Sequence, residues 1–167
     1  LDDALEIRRR ILIAFEAAER EADPATRAEW MTFVVVGGGA TGVELAGALC
    51  EIARETLRRD FRHIDPHEAR VVLVEGGDRL LGAFVPRISE LALSQLIAVG
   101  VEVRLHERVT GVDAEGVALG TSRIDAATVI WAAGVRAAPL ARTLDAPLDP
   151  AGRVIVEADG SLPRHPE

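Results

Sequence analysis

The residues whose spacing can do chemistry are glycines. Gly37-x-Gly39-x-x-Gly42 follows a β-branched and aromatic run, Thr32 to Val36, and a helical pattern opens at Thr41. Strand, tight turn and helix in that order build an anion site. Gly37 permits the sharp turn off the strand, where a positive φ would penalise any side chain. Gly39 has no Cβ to hold a pyrophosphate away from the backbone. Gly42 lets the helix pack closely on the strand, and Ala46, one turn later, keeps that seam narrow. The helix N-terminus adds unpaired N–H groups and a partial positive charge. A hydrogen bond to a charged partner is worth about 1.5–3 kcal/mol, so two or three supply a large share of a dinucleotide's affinity. The competing reading is a purely structural turn. The buried-type strand before the glycines and the apolar-striped helix after them favour phosphate binding.

Three further residues extend this chemistry. Glu75 ends a second strand, Arg70–Glu75, where an acid accepts hydrogen bonds from the adenosine ribose and repels a 2′-phosphate, selecting NAD over NADP. A polar insert, Arg58–Ala69, stretches the interval beyond the customary roughly 20 residues, so this role follows from strand order. Arg79, four positions on, is the cation that could soften the preference. Glu44 is placed in the first turn of the glycine-loop helix, where the dipole stabilises a carboxylate by roughly 0.3–1 kcal/mol. That reason suffices, and a ligand-facing role stands beside it. Gly134 follows the last buried-type strand, Ala127–Ala132, at the end where an open α/β sheet meets its ligand. A plain loop glycine fits equally well. Cys50 reads as a buried structural thiol. His63 and His67 flank a proline without a partner cluster, so they read as loop residues and no metal site is expected. No Ser/His/Asp or Cys/His arrangement offers a nucleophile.

The elements that must position these residues can be read in order. Leu1–Ala22 is an amphipathic helix with Leu5, Ile11, Leu12, Phe15 and Ala18 on its apolar side, ended by Asp23-Pro24. It reads as a scaffold or connector outside the βαβ unit; its mixed charges disfavour the alternative of a membrane-surface helix. The glycine-loop helix runs from Thr41 to about Arg59. Pro86 starts another helix over Arg87–Val99, with Ile88, Leu91, Ala92, Leu96 and Val99 inward and Gly100 as its cap. Val101–Leu105 is a strand, and Val109–Val112, Val117–Leu119 and Ser122–Ile124 form a meander. Pro139–Leu144 is a short helix and Arg153–Val156 a short strand. The fold class is α/β: a Rossmann-like three-layer domain, a parallel sheet with helices plus a three-stranded antiparallel meander.

The 167 residues carry a net charge of −8, which argues against a nucleic-acid partner. The apolar fraction of 49% describes a globular domain with a real core. A single cysteine points to a reducing compartment, and no window approaches the roughly 20 apolar residues of a membrane span. Leu1 opens into a charged helical pattern without a basic leader, so no signal peptide is expected. The lack of an initiator Met and the ending His165-Pro166-Glu167 point to an excised piece of a longer protein.

The strings FVVVGGGATGVELAGAL, FRHIDPHEARVVLVEGGDRLL and ATVIWAAGVRAAPLA resemble the type II NADH dehydrogenases. These are flavoprotein NADH:quinone oxidoreductases of the two-dinucleotide-binding-domain (pyridine nucleotide-disulfide oxidoreductase) superfamily. The resemblance extends to the leading LDDALEIRRRILIAFEAAE and the tail RVIVEADGSLPRHPE. It implies that residues 30–160 are an NAD(H)-binding domain behind a leading helix, 1–24, with 161–167 beginning the return to an FAD domain. The FAD-binding halves and the family's C-terminal membrane anchor would lie outside this chain. By matching motif, Gly37, Gly39, Ala40, Thr41 and Gly42 would hold the pyrophosphate and Glu75 the adenosine ribose. Glu44, the candidate catalytic residue, would face the nicotinamide end near flavin and quinone, with Gly134 lining the nicotinamide side. The family commonly has Pro at Ala40, a change that leaves the backbone donors in place. It commonly has Ala-Gly at Gly76-Gly77, so this chain's second glycine pair should loosen the loop beside the ribose.

The implied activity of the full protein is hydride transfer from NADH to FAD and two-electron delivery to quinone, at the cytoplasmic face of the inner membrane. The fragment itself should be inactive and make no membrane contact. Two rivals remain at this point: the glycine loop could serve FAD, or the chain could be a standalone NAD(H) sensor or interaction module.

Overall fold

A computed structural model describes residues 2–57, 60–135 and 137–163. The expected helix start at Leu1, the helix end at Arg59 with the insert's Arg58, and the tail beyond residue 163 lie outside the described residues. The chain divides into two compact units, Leu1–Ala133 and Gly134–Glu167.

The first unit is built on a parallel sheet. Its strands are β1 (Thr32–Val36), β2 (Arg70–Val74), β3 (Glu102–Arg104) and β7 (Thr128–Trp131), in the order β3-β2-β1-β7. β1 lies between β2 and β7 and pairs in register Val36↔Val74 and Val36↔Trp131. All five β1 residues are buried, as a central parallel strand requires. Side-chain alternation divides the core in two. Phe33, Val35, Val71 and Leu73 face a helical layer, while Val34, Val36, Val72 and Val74 face the other side.

The helical layer contains α1 (Asp2–Arg20), α3 (Ala40–Glu51) and α4 (Pro86–Ala98). It contributes Phe15, Ala18, Ala46, Leu49 and Leu96 to the core. Opposite lies a separate antiparallel sheet of β4 (Gly111–Asp113), β5 (Gly116–Leu119) and β6 (Ser122–Asp125), which supplies Val117, Leu119 and Ile124. Helices, parallel sheet and antiparallel sheet make the three expected layers.

Several local expectations are revised. Asp23-Pro24 does not simply end a helix; it starts α2 (Pro24–Trp30), because Asp23 accepts the Thr26 N–H at 2.8 Å as an N-cap and Pro24 suits the first turn. α1 packs into the main core, with the Phe15 ring centroid 5.3 Å from Phe33 and 6.0 Å from Phe61. Its Leu5 and Leu12 face outward. α3 passes into a π-helical turn over Ile52–Thr56. On α4, Ser89, Ala92 and Leu96 are inward, whereas Ile88, Leu91 and Val99 are exposed. The polar insert is docked rather than loose: Ile64 and Pro66 are buried, and Glu19 accepts the N–H groups of Arg62, His63 and Ile64. His63 Nδ1 lies 2.9 Å from the same carboxylate.

In the second unit Pro139–Thr143 is a 3-10 turn. The expected strand at Arg153–Val156 is reduced to a single antiparallel bridge, Leu148↔Val154.

Candidate functional site

β1 delivers the chain into the glycine turn. Gly37 donates to Val74 O at 2.8 Å and has φ +109, a conformation L side chains rarely adopt. A Cβ there would stand 2.7 Å from Ala133 Cα. Gly39 differs: its backbone is ordinary extended, it is exposed, and a Cβ would meet nothing within 4 Å. At Gly42 a Cβ would fall 1.8 Å from Gly37 O, so only glycine lets α3 come this close to the turn. Gly39 is the N-cap of α3 and offers no side chain, which leaves the first-turn N–H groups of Ala40, Thr41 and Gly42 without a side-chain cap. Ala40 and Thr41 are exposed beside it.

Gly38 is a site residue the sequence pattern did not single out. A Cβ on it would meet Leu80 Cδ2 at 2.7 Å and Glu75 Cβ at 3.0 Å. Its N–H donates to Glu75 Oε2 at 2.6 Å, and its carbonyl accepts from Leu81 N at 2.7 Å. The available signal was the unbroken Gly37-Gly38-Gly39 run, but the spacing rule names only its first and third members.

Glu75 follows β2 directly and is half-buried. Its other oxygen, Oε1, accepts from Gly77 N at 2.6 Å. Its backbone is fastened as well, donating to Arg104 O at 2.8 Å and accepting from Glu107 N at 3.1 Å. Two backbone donors therefore fix the carboxylate beside the glycine turn, and each oxygen keeps lone-pair capacity for a further donor. The Gly76-Gly77 pair is tied down rather than loosened, since Gly77 O accepts His106 N at 2.9 Å. Arg79 is turned to its own loop, donating to Gly82 O at 2.9 Å.

Past the carboxyl ends of β1, β2 and β7 lies a cleft of about 360 Å³, where open α/β sheets receive ligands. Gly37, Glu75, Glu107, Arg108, Val109 and Trp131 are among its lining residues. Glu107, Arg108 and Trp131 escape sequence reasoning because they reach the cleft from the β3–β4 connection and the end of β7, far from the glycine turn in sequence, and carry no local motif.

Glu44 is exposed and is the fifth residue of α3, at the start of the second turn rather than in the first. The dipole argument for it is correspondingly weaker. Gly134 opens the second unit with φ +84 and free space where a Cβ would stand. Cys50 is buried, and burial pushes its thiol pKa up against the opposing pull of Arg54, which suits an inert thiol. Among the described residues no group of three His, Cys, Asp or Glu could hold a metal ion.

This geometry can be set beside known proteins. A family model described as pyridine nucleotide-disulphide oxidoreductase matches residues 5–165. The type II NADH:quinone oxidoreductase Ndh of Mycobacterium tuberculosis is 45% identical over 99% of this chain and 38% of its own length. NdhA of the same organism is 45% identical over 99% of this chain and 37% of its length. The chain thus spans well under half of the curated relatives it matches. A structure of NDH2 from Plasmodium falciparum in complex with NADH superposes with TM-score 0.74 at 24% identity, covering 84% of this chain and 30% of that one. At that identity the likeness shows the fold alone.

Proposed function

The chain belongs to the pyridine nucleotide-disulphide oxidoreductase family, and on that premise we propose that it is the NADH-binding part of a flavin-dependent NADH:quinone oxidoreductase. The observation that carries this reading is one junction. The open approach at Gly39, the uncapped first turn of α3 and the backbone-fixed carboxylate of Glu75 meet there. A dinucleotide has two features that match it, an anionic pyrophosphate and a ribose diol that donates hydrogen bonds.

The residues fit such a ligand. Backbone donors at Gly39, Ala40, Thr41 and Gly42 hold the pyrophosphate, Gly37, whose N–H is taken by Val74 O, shapes the turn beneath it, and α3 adds its positive end. Glu75 accepts from the adenosine ribose. Glu44 on the exposed side of α3 is assigned to the nicotinamide end, and Gly134 to its border. When bound, the dinucleotide supplies a hydride for FAD, and the two electrons pass on to quinone. This chain's own residues bind and orient, and none needs to act as a nucleophile.

The flavin-binding halves belong to the remainder of the polypeptide, as does quinone reduction. No helix among the described residues is long and apolar enough to cross a membrane. We propose that the full protein is a peripheral protein on the cytoplasmic side of the inner membrane.

The test is a heteronuclear NMR titration of the 167-residue chain with NADH, NADPH and FAD up to millimolar concentration. That range detects a site worth only about −4 kcal/mol. NADH is expected to shift Gly37 to Glu44 and Glu75, with little response to FAD. Shifts with FAD alone would overturn the assignment.

A further inference from the structure

Glu75 shares its surroundings with two arginines, and the fold uses them differently. Arg79 donates to Gly82 O at 2.9 Å and so closes its own loop. Arg108 stands on the connection from β3 to β4, which is stitched to the Glu75 loop by Glu107 N to Glu75 O (3.1 Å) and His106 N to Gly77 O (2.9 Å). His106 makes the bend with φ +60.

This stitching brings Arg108 beside Gly76, the residue after Glu75. A Cβ on Gly76 would lie 3.9 Å from Arg108 Nε and 4.0 Å from its Cβ. Arg108 and Glu75 line the same cleft. Glu107 lines it too, with its carboxylate 3.6 Å from Arg104. Arg108 is exposed and makes no side-chain hydrogen bond or ion pair among the described residues, although the chain carries a net charge of −8.

We propose that Arg108 is a specificity-determining residue that lets the adenosine end of this site accept a 2′-phosphate. The inference rests on the dinucleotide reading above. A guanidinium offers forked donors that match phosphate oxygens. Glu75, which lines the same cleft, favours a free 2′-hydroxyl and opposes the phosphate. The balance of the two makes the site prefer NADH without excluding NADPH. Arg79, the cation closest to Glu75 in sequence, has no part in that balance because it is turned toward Gly82 O in its own loop and borders a different pocket, with Leu80 and Pro86.

The experiment is calorimetric titration of the 167-residue chain with ADP and with 2′,5′-ADP. The variants are R108A and R79A. The unsubstituted chain is expected to bind both nucleotides, 2′,5′-ADP more weakly and with the steeper salt dependence. R108A should weaken 2′,5′-ADP about five- to tenfold, the scale of one charge-assisted contact at an exposed site. It should leave ADP within about twofold, and retained ADP binding also reports that the variant is folded. R79A should alter neither nucleotide.

Equal losses of both nucleotides in R108A would overturn the proposal by making Arg108 a contact of the adenine. A selective loss of 2′,5′-ADP in R79A, or failure of the unsubstituted chain to bind NADPH while it binds NADH, two ligands that differ only in the 2′-phosphate, would overturn it as well. Failure to bind ADP would remove the dinucleotide reading itself, and this inference with it.

Discussion

The carboxylate of Glu75 accepts the backbone N–H of Gly38 across 2.6 Å, joining the end of β2 to the turn that follows β1. Its second oxygen takes the Gly77 N–H at the same distance. One side chain thus holds two turns in place and faces the cleft they border.

Replacing Glu75 tests both duties. In E75Q the amide has one oxygen, so either Gly38 or Gly77 loses its acceptor and faces an NH₂ group instead. Unfolding in urea should show a loss of about 1–2 kcal/mol, the cost of one orphaned, partly buried donor. E75A should weaken NADH more than NADPH, because only NADH's free 2′-hydroxyl gains from the acid. Equal losses for the two nucleotides would assign Glu75 to the turn alone.

Gly39 and Gly42 should separate binding from folding. A Cβ on Gly42 would sit 1.8 Å from Gly37 O, a backbone atom that cannot swing aside. G42A is therefore expected to cost about 3 kcal/mol or more by urea denaturation. A Cβ on Gly39 meets open space, so G39V should cost only about 1 kcal/mol, as an N-cap change does. The same substitution should reduce NADH affinity at least about tenfold by titration. Unchanged affinity would remove Gly39 from the pyrophosphate site.

Phe15 measures how far α1 belongs to this unit. It is buried between Phe33 of β1 and Phe61 of the insert. F15A should cost about 3–5 kcal/mol, the range for emptying an aromatic site in a core. A loss below about 1 kcal/mol would show that α1 rides on the sheet rather than closing it.

Glu19 makes stability depend on acid. Burial works against its charge, but the N–H groups of Arg62, His63 and Ile64 and the His63 ring outweigh it and hold the carboxyl at about 2. The folded value lies below the ordinary 4.5, so this contribution is complete above about pH 4.5 and lost as pH falls toward 2. E19Q is expected to melt lower than the unsubstituted chain at pH 7. Thermal melts across that window should show the gap closing. A gap independent of pH would mean that the charge plays no part.

Legibility followed the range of each interaction. β1, the glycine turn and the start of α3 could be read directly, because seventeen consecutive residues, Met31 to Gly47, carry strand pattern, turn and helix together. The rotation of α4 could not. Its sequence has apolar residues on two flanks, and only packing against the sheet selects Ala92 and Leu96 over Ile88 and Leu91. The Arg153–Val156 strand failed for a related reason, since alternation marks a candidate strand but a neighbour must supply the ladder.

By itself, then, the sequence determined the layered α/β architecture, the glycine turn with its uncapped helix and the acid at the end of β2. Each is written in local period, backbone permissiveness or residue type. Only the tertiary structure decided that Glu75 grips Gly38, that Arg79 is occupied while Arg108 stands at the cleft, and that Glu44 falls in the second turn of α3. The first depends on a bond between turns 37 residues apart, the second on how side chains settle once the loops are folded, and the third on where a helix takes its first bond. None of these leaves a periodic trace in the chain.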